Sequence, residues 1–177
     1  MKKLLTFLIA FLIVILVHEG AHALVAAAYG ELAAFQVHPY GFEVIFKTPI
    51  AQRQGIEWGF ISGASNVITV LLGYLLLFFV KPIANMKNSF MSAVGYWLIV
   101  MFLLLDPLNL SVGPFLYGGD MGGIVAGFGV NQYLVQIVSF AIFLINRELV
   151  AQVLLPVYGI KTDHPLFKPW IKFGSVS

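Results

Sequence analysis

Four long apolar runs, separated by short polar stretches, dominate the pattern of the chain. The first extends from Leu4 to Tyr29 and is interrupted only by His18, Glu19 and His22. Trp58 to Val80 is a second, without a charged residue, and Asn88 to Leu105 is a slightly short third. Met121 to Asn146 is also uncharged, but its first part is rich in glycine, so the fourth run is expected from about Asn131 to about Val157. A helix needs roughly 20 mostly apolar residues to cross a bilayer. The pattern therefore predicts an all-α polytopic membrane protein with about four transmembrane helices.

Two connections carry their own signals. From Phe35 to Phe46 apolar and polar residues partly alternate around Pro39 and Gly41, which predicts a short β-hairpin-like loop or edge strand. Asp106 to Gly129 has five glycines between Gly118 and Gly127, which predicts a Gly-rich, re-entrant segment before the last span. No repeat or separate soluble unit is visible, so residues 1–177 read as a single membrane-embedded domain.

Composition narrows the class. Of 177 residues, 60% are hydrophobic and 10% charged, against about 25% charged in soluble domains. A soluble globular enzyme and a disordered chain are both excluded. Without cysteine there is no disulfide, thiolate ligand or Cys nucleophile. The 10 Lys+Arg against 8 Asp+Glu are scattered, so a nucleic-acid partner is not expected. With four spans both termini share a side, and that side collects Lys2, Lys3, Lys81, Lys87, Lys161, Lys168 and Lys172. Lys47 and Arg53 fall on the other, and Arg147 lies inside the last span. By the positive-inside rule this is a multi-pass cell-membrane protein with cytoplasmic termini. Lys2-Lys3, the apolar run and Ala21-His22-Ala23 also have the outline of a cleaved signal peptide. His18 and Glu19 stand where such a peptide is small and neutral, so the segment reads as a retained span.

The chemistry concentrates in His18-Glu19-Gly20-Ala21-His22. Residues i and i+4 of a helix share a face, so two imidazoles at that spacing can hold one Zn²⁺. Glu19, one step round, can reach a water on the metal and act as general base. Ionisable groups inside a span are costly and are functional candidates by default. A third ligand is required. His38, His164, Asp106 and Asp120 are the candidates, and the topology sets His164 on the wrong side. Asp106 and Asp120 both follow the third span and are both available. Asp106 also reads as a helix-ending residue before Pro107, and Asp120 as an N-cap of the next helix. Asn66, in Gly63-Ala-Ser-Asn66 near the start of the second span, reads equally as an oxyanion donor or as a polar contact between packed helices.

With these residues in place, the chain resembles the site-2-protease family of intramembrane zinc metalloproteases. His18-Glu-Gly-Ala-His22 is similar to that family's HExxH, Gly63-Ala-Ser-Asn66 to its Gly-x-x-Asn element, and Asn109, Pro114 and Asp120 to its Asn/Pro-rich segment leading to the ligand Asp. The resemblance covers a minimal core without a PDZ or CBS domain. It implies that His18, His22 and Asp120 hold Zn²⁺, that Glu19 is the catalytic base, and that Asn66 assists catalysis. The family's usual Leu-Asp-Gly is Gly119-Asp120-Met121 here, so Asp106 stands as reserve ligand. The implied activity is hydrolysis of peptide bonds in or near transmembrane segments of membrane-protein substrates, within the lipid bilayer. It also implies that the Phe35–Phe46 hairpin pairs with an extended substrate strand. The alternatives are a catalytically silent metal- or client-binding membrane protein and a small transporter.

Overall fold

The computed structural model describes residues 2–39 and 41–171; Lys172, counted above on the side of the termini, lies outside them. Four helices are long and apolar enough to cross a membrane. They are α1 (Lys2–Ala28), α2 (Ile56–Phe78), α4 (Ser89–Val112) and α6 (Gln132–Leu149), the last running through a π-helical turn (Val150–Leu154) into α7 (Leu155–Val157). Short α3 (Val80–Ala84) links α2 to α4, and α5 (Met121–Phe128) precedes α6. The predicted hairpin forms as antiparallel β1 (Leu32–His38) and β2 (Gly41–Phe46), with Phe35 opposite Val44 and Val37 opposite Phe42. The Gly-rich segment folds as α5, packed on α2.

The exposed surface of the long helices is largely apolar. Leu4, Leu5, Leu8, Leu12, Leu16 and Leu24 of α1 all point outward. Helix α4 is central and packs on α1, α2 and α6. One core joins Ala10 and Val14 of α1 to Val94, Met101 and Phe102. Another joins Ile99 and Leu103 to Val150, Leu154 and Leu155.

Helix α4 does not end before Pro107, as the sequence suggests, but continues to Val112. Proline lacks the N–H that would bond the carbonyl four residues back. That carbonyl, Leu103 O, instead accepts from Asn146 Nδ2 of α6 at 2.7 Å, and Tyr74 of α2 donates to Asn146 Oδ1 at 2.6 Å. In lipid an unpaired backbone group costs several kcal/mol, and a neighbouring helix can satisfy it. The donor that repairs α4 is wholly buried.

At the far end of α6, Arg147 and Glu148 form a buried pair that holds the tail. Arg147 donates to Leu166 O at 2.8 Å and lies 4.0 Å from the Trp170 ring, while Glu148 accepts from Trp170 N at 3.0 Å. The bundle thus has two distinct ends. Lys2, Ala84, Ser89, Tyr158 and Ile160 surround a groove at one end. His18 lies about 24 Å along α1 from Lys2, toward the hairpin and α5.

Candidate metal centre

Helix α1 presents His18 and His22 one turn apart, with Nε2 atoms 3.2 Å from each other. Their outer nitrogens are fixed. His22 Nδ1 lies 2.7 Å from Ile61 O, a group that can only accept, so Nδ1 carries the hydrogen. His18 Nδ1 donates to Asp106 Oδ2 at 3.1 Å. With Nδ1 as the donor, each ring in its neutral form would turn an Nε2 lone pair to the same point.

Asp120 meets them there. Its Oδ2 is 3.3 Å from His18 Nε2 and its Oδ1 is 3.1 Å from His22 Nε2. Two ligands held at 2.0–2.1 Å in a tetrahedral arrangement are about 3.3 Å apart. The three separations fit one small divalent ion, and His18, His22 and Asp120 are the cluster among the described residues that could hold one.

Local backbone places that carboxylate. Gly119 adopts φ +49, a left-handed value suited to glycine, and Asp120 stands at the N-cap position of α5 without capping it. The side chain is free to turn to the imidazoles. The seating of α5 depends on two glycines. A Cβ on Gly123 would fall 1.9 Å from Ser62 Oγ, and one on Gly127 would fall 2.0 Å from Gly59 N. Small residues four apart let the α5 and α2 backbones approach this closely.

Asn66 Nδ2 donates to Asp120 Oδ2 at 2.9 Å and also reaches Ser62 O and Ser65 Oγ. It orients the carboxylate, and it is not part of the cavity wall. Asp106 is buried mid-helix, hydrogen-bonded by Thr69, and faces the outer nitrogen of His18. The structure thus brings Asp120, and not Asp106, to the Nε2 atoms. His38 pairs with Glu43 at 3.0 Å on the exposed hairpin, and His164 lies in the tail.

A cavity of about 280 Å³ opens on the cluster, lined by Glu19, His22, Asp120, Phe46, Ile50 and Arg53 among others. Glu19 is thus in the same cavity as His22 and Asp120, where a base is useful. Three contributors escaped the sequence reading: Ile61 O, Thr69 and Ser65, whose Oγ is 3.0 Å from His22 Nε2. Ile61, Ser65 and Thr69 are spaced by four, which places them on one face of α2. That spacing was the available signal. Compared with protein-family models, characterised proteins and solved structures, the chain matches none.

Proposed function

We propose that this chain is an intramembrane zinc metalloendopeptidase that cleaves other membrane proteins in or near their transmembrane segments. The observation that carries the reading is the triangle of His18 Nε2, His22 Nε2 and the Asp120 carboxylate, with edges of 3.1 to 3.3 Å. Two nitrogens and a carboxylate are a zinc donor set that leaves a fourth position open. Bound there, zinc would polarise the scissile carbonyl and stabilise the negative charge it develops.

The chain's own groups supply the rest. Glu19 takes a proton from the attacking water as the carbon–oxygen bond forms, and returns it to the leaving amine as the carbon–nitrogen bond breaks. Asp106 and Ile61 O keep each imidazole in the tautomer that frees Nε2. Asn66 keeps Asp120 turned toward both rings. The Gly-rich segment around α5 acts as a re-entrant wall of the cavity, and the hairpin edge receives an unwound substrate strand. Crosslinking of a substrate to Val37 or Val44 is the expected result, and contacts confined to α2 and α4 would count against the hairpin. The basic ends of the helices face the cytoplasm. A catalytically silent relative would have no need of a carboxylate in Glu19's place, and a transporter would not gather its polar groups at one depth.

Metal content of the detergent-purified full chain tests the reading. Near-stoichiometric zinc is expected in wild type and Glu19→Gln, and loss in His22→Ala and Asp120→Ala. Glu19→Gln then serves as a substrate trap. A folded wild type that takes up no metal overturns the proposal.

A further inference from the structure

The cavity beside the cluster carries one lysine or arginine, Arg53. Lys47, close to it in sequence, turns away to Gly30 O at 2.6 Å. The Arg53 guanidinium carbon lies 4.6 Å from the ring centroid of Phe46 and 4.6 Å from that of Trp58. Its Nε donates to Thr48 O at 3.2 Å. Stacking and this bond fix the plane of the group. Its two terminal amino groups have no hydrogen-bond partner among the described residues. Glu31 acts on it electrostatically, but its Oε2 accepts from Thr48 N, and no ion pair forms. A fixed guanidinium with two free N–H edges matches a carboxylate in bidentate fashion.

Charge points the same way. Among the groups lining the cavity, Asp120 and Glu19 lie beside the cluster, and Arg53 is the cation whose terminal N–H groups no carboxylate engages. A cation on a cavity wall favours an anionic ligand, and the anions of a polypeptide are its side-chain and terminal carboxylates. We infer that Arg53 forms a subsite that selects substrates carrying a carboxylate close to the scissile bond. This rests on the hydrolase reading above. Arg53 is a specificity residue within it and has no part in bond cleavage.

The test uses full-length Glu19→Gln protein, zinc-loaded in detergent, and isothermal titration with end-blocked Leu/Ala heptapeptides. Each peptide carries one Glu or its isostere Gln, moved along the chain, and a third set has no Glu but a free C-terminus. At one position Glu is expected to bind about ten- to hundredfold tighter than Gln, the range for a charge-assisted hydrogen bond. That preference should shrink to about twofold or less when Arg53→Gln is added and be partly kept by Arg53→Lys. An Arg53-dependent preference confined to the free C-terminus would identify the terminal carboxylate as the group selected. Equal affinity of every pair in the parent protein overturns the inference, and so does a preference that survives Arg53→Gln. If the protein takes up no zinc, the hydrolase reading fails by itself. The same comparison on the metal-free protein then decides on Arg53, with the same loss in Arg53→Gln required.

Discussion

At the proposed metal site Asp106 would hold a ligand in place and not the metal itself. Its Oδ2 is 3.1 Å from His18 Nδ1, between side chains only 16% and 10% exposed. A hydrogen bond to a charged acceptor contributes about 1.5–3 kcal/mol, and one to a neutral acceptor about 0.5–1.5. Asp106→Asn retains an acceptor but removes its charge. The expected loss is the difference, about 1–2 kcal/mol, or roughly five- to thirtyfold in the zinc dissociation constant. Asp106→Ala removes the whole bond and is expected to cost about ten- to hundredfold, the range found for groups behind a ligating histidine. Thr69 would lose little, because its hydroxyl already reaches Ser65 O at 2.9 Å within its own helix. The assay is zinc competition against a chromogenic chelator, on detergent-purified variants whose folding is checked by circular dichroism. The ordering expected is wild type, Asp106→Asn, Asp106→Ala, and then Asp120→Ala, which loses a ligand. If Asp106→Asn lost zinc as completely as Asp120→Ala, Asp106 would be a ligand. If Asp106→Ala changed affinity less than twofold, the orienting role would be refuted.

Further outcomes follow from other contacts. Gly127→Ala forces α5 off α2 and is expected to cost about 1–3 kcal/mol, with a lower thermal midpoint and reduced zinc retention. Gly122→Ala, whose Cβ meets nothing within 4 Å, should keep both. Asn146→Leu leaves Leu103 O without its side-chain donor and should cost about 1–3 kcal/mol in thermal or denaturant unfolding. Trp170→Ala removes the ring from Arg147, worth about 0.5–2 kcal/mol, and chymotryptic cleavage after Phe167 should then accelerate. Arg147→Ala strands the buried Glu148 and should be far more damaging, about 3–5 kcal/mol.

The spans were legible because apolar length is a strong signal and lipid leaves the backbone few options. The hairpin was legible from the alternation around Pro39 and Gly41. HExxH was legible because both imidazoles lie on one helix, where spacing alone fixes geometry. What depended on contacts between helices was not. The end of the third span was placed at Leu105 because proline normally closes a helix, and nothing local to Pro107 announces a donor at Asn146. Asp106 and Asp120 stood as alternative ligands because both follow that span. Their separation needs the seating of α5, which rests on Gly123 and Gly127 meeting α2. Ile61 O was invisible for a simpler reason, since every residue has a carbonyl and sequence does not say which one faces a histidine.

The bond between Asn146 and Leu103 O has a consequence for the order in which the molecule is assembled. Every group that converges on the candidate centre lies between His18 and Asp120, so the whole set has emerged before α6 is made. Yet α4, which carries Asp106, contains a backbone gap that only α6 closes. A chain halted after Asp120 would present each required side chain on a third span whose middle exposes a bare carbonyl to acyl chains. The full stability of α4 is therefore expected only once α6 has packed against it. Among the described residues the final helix adds no member to the cluster, and it still completes the helix that carries Asp106.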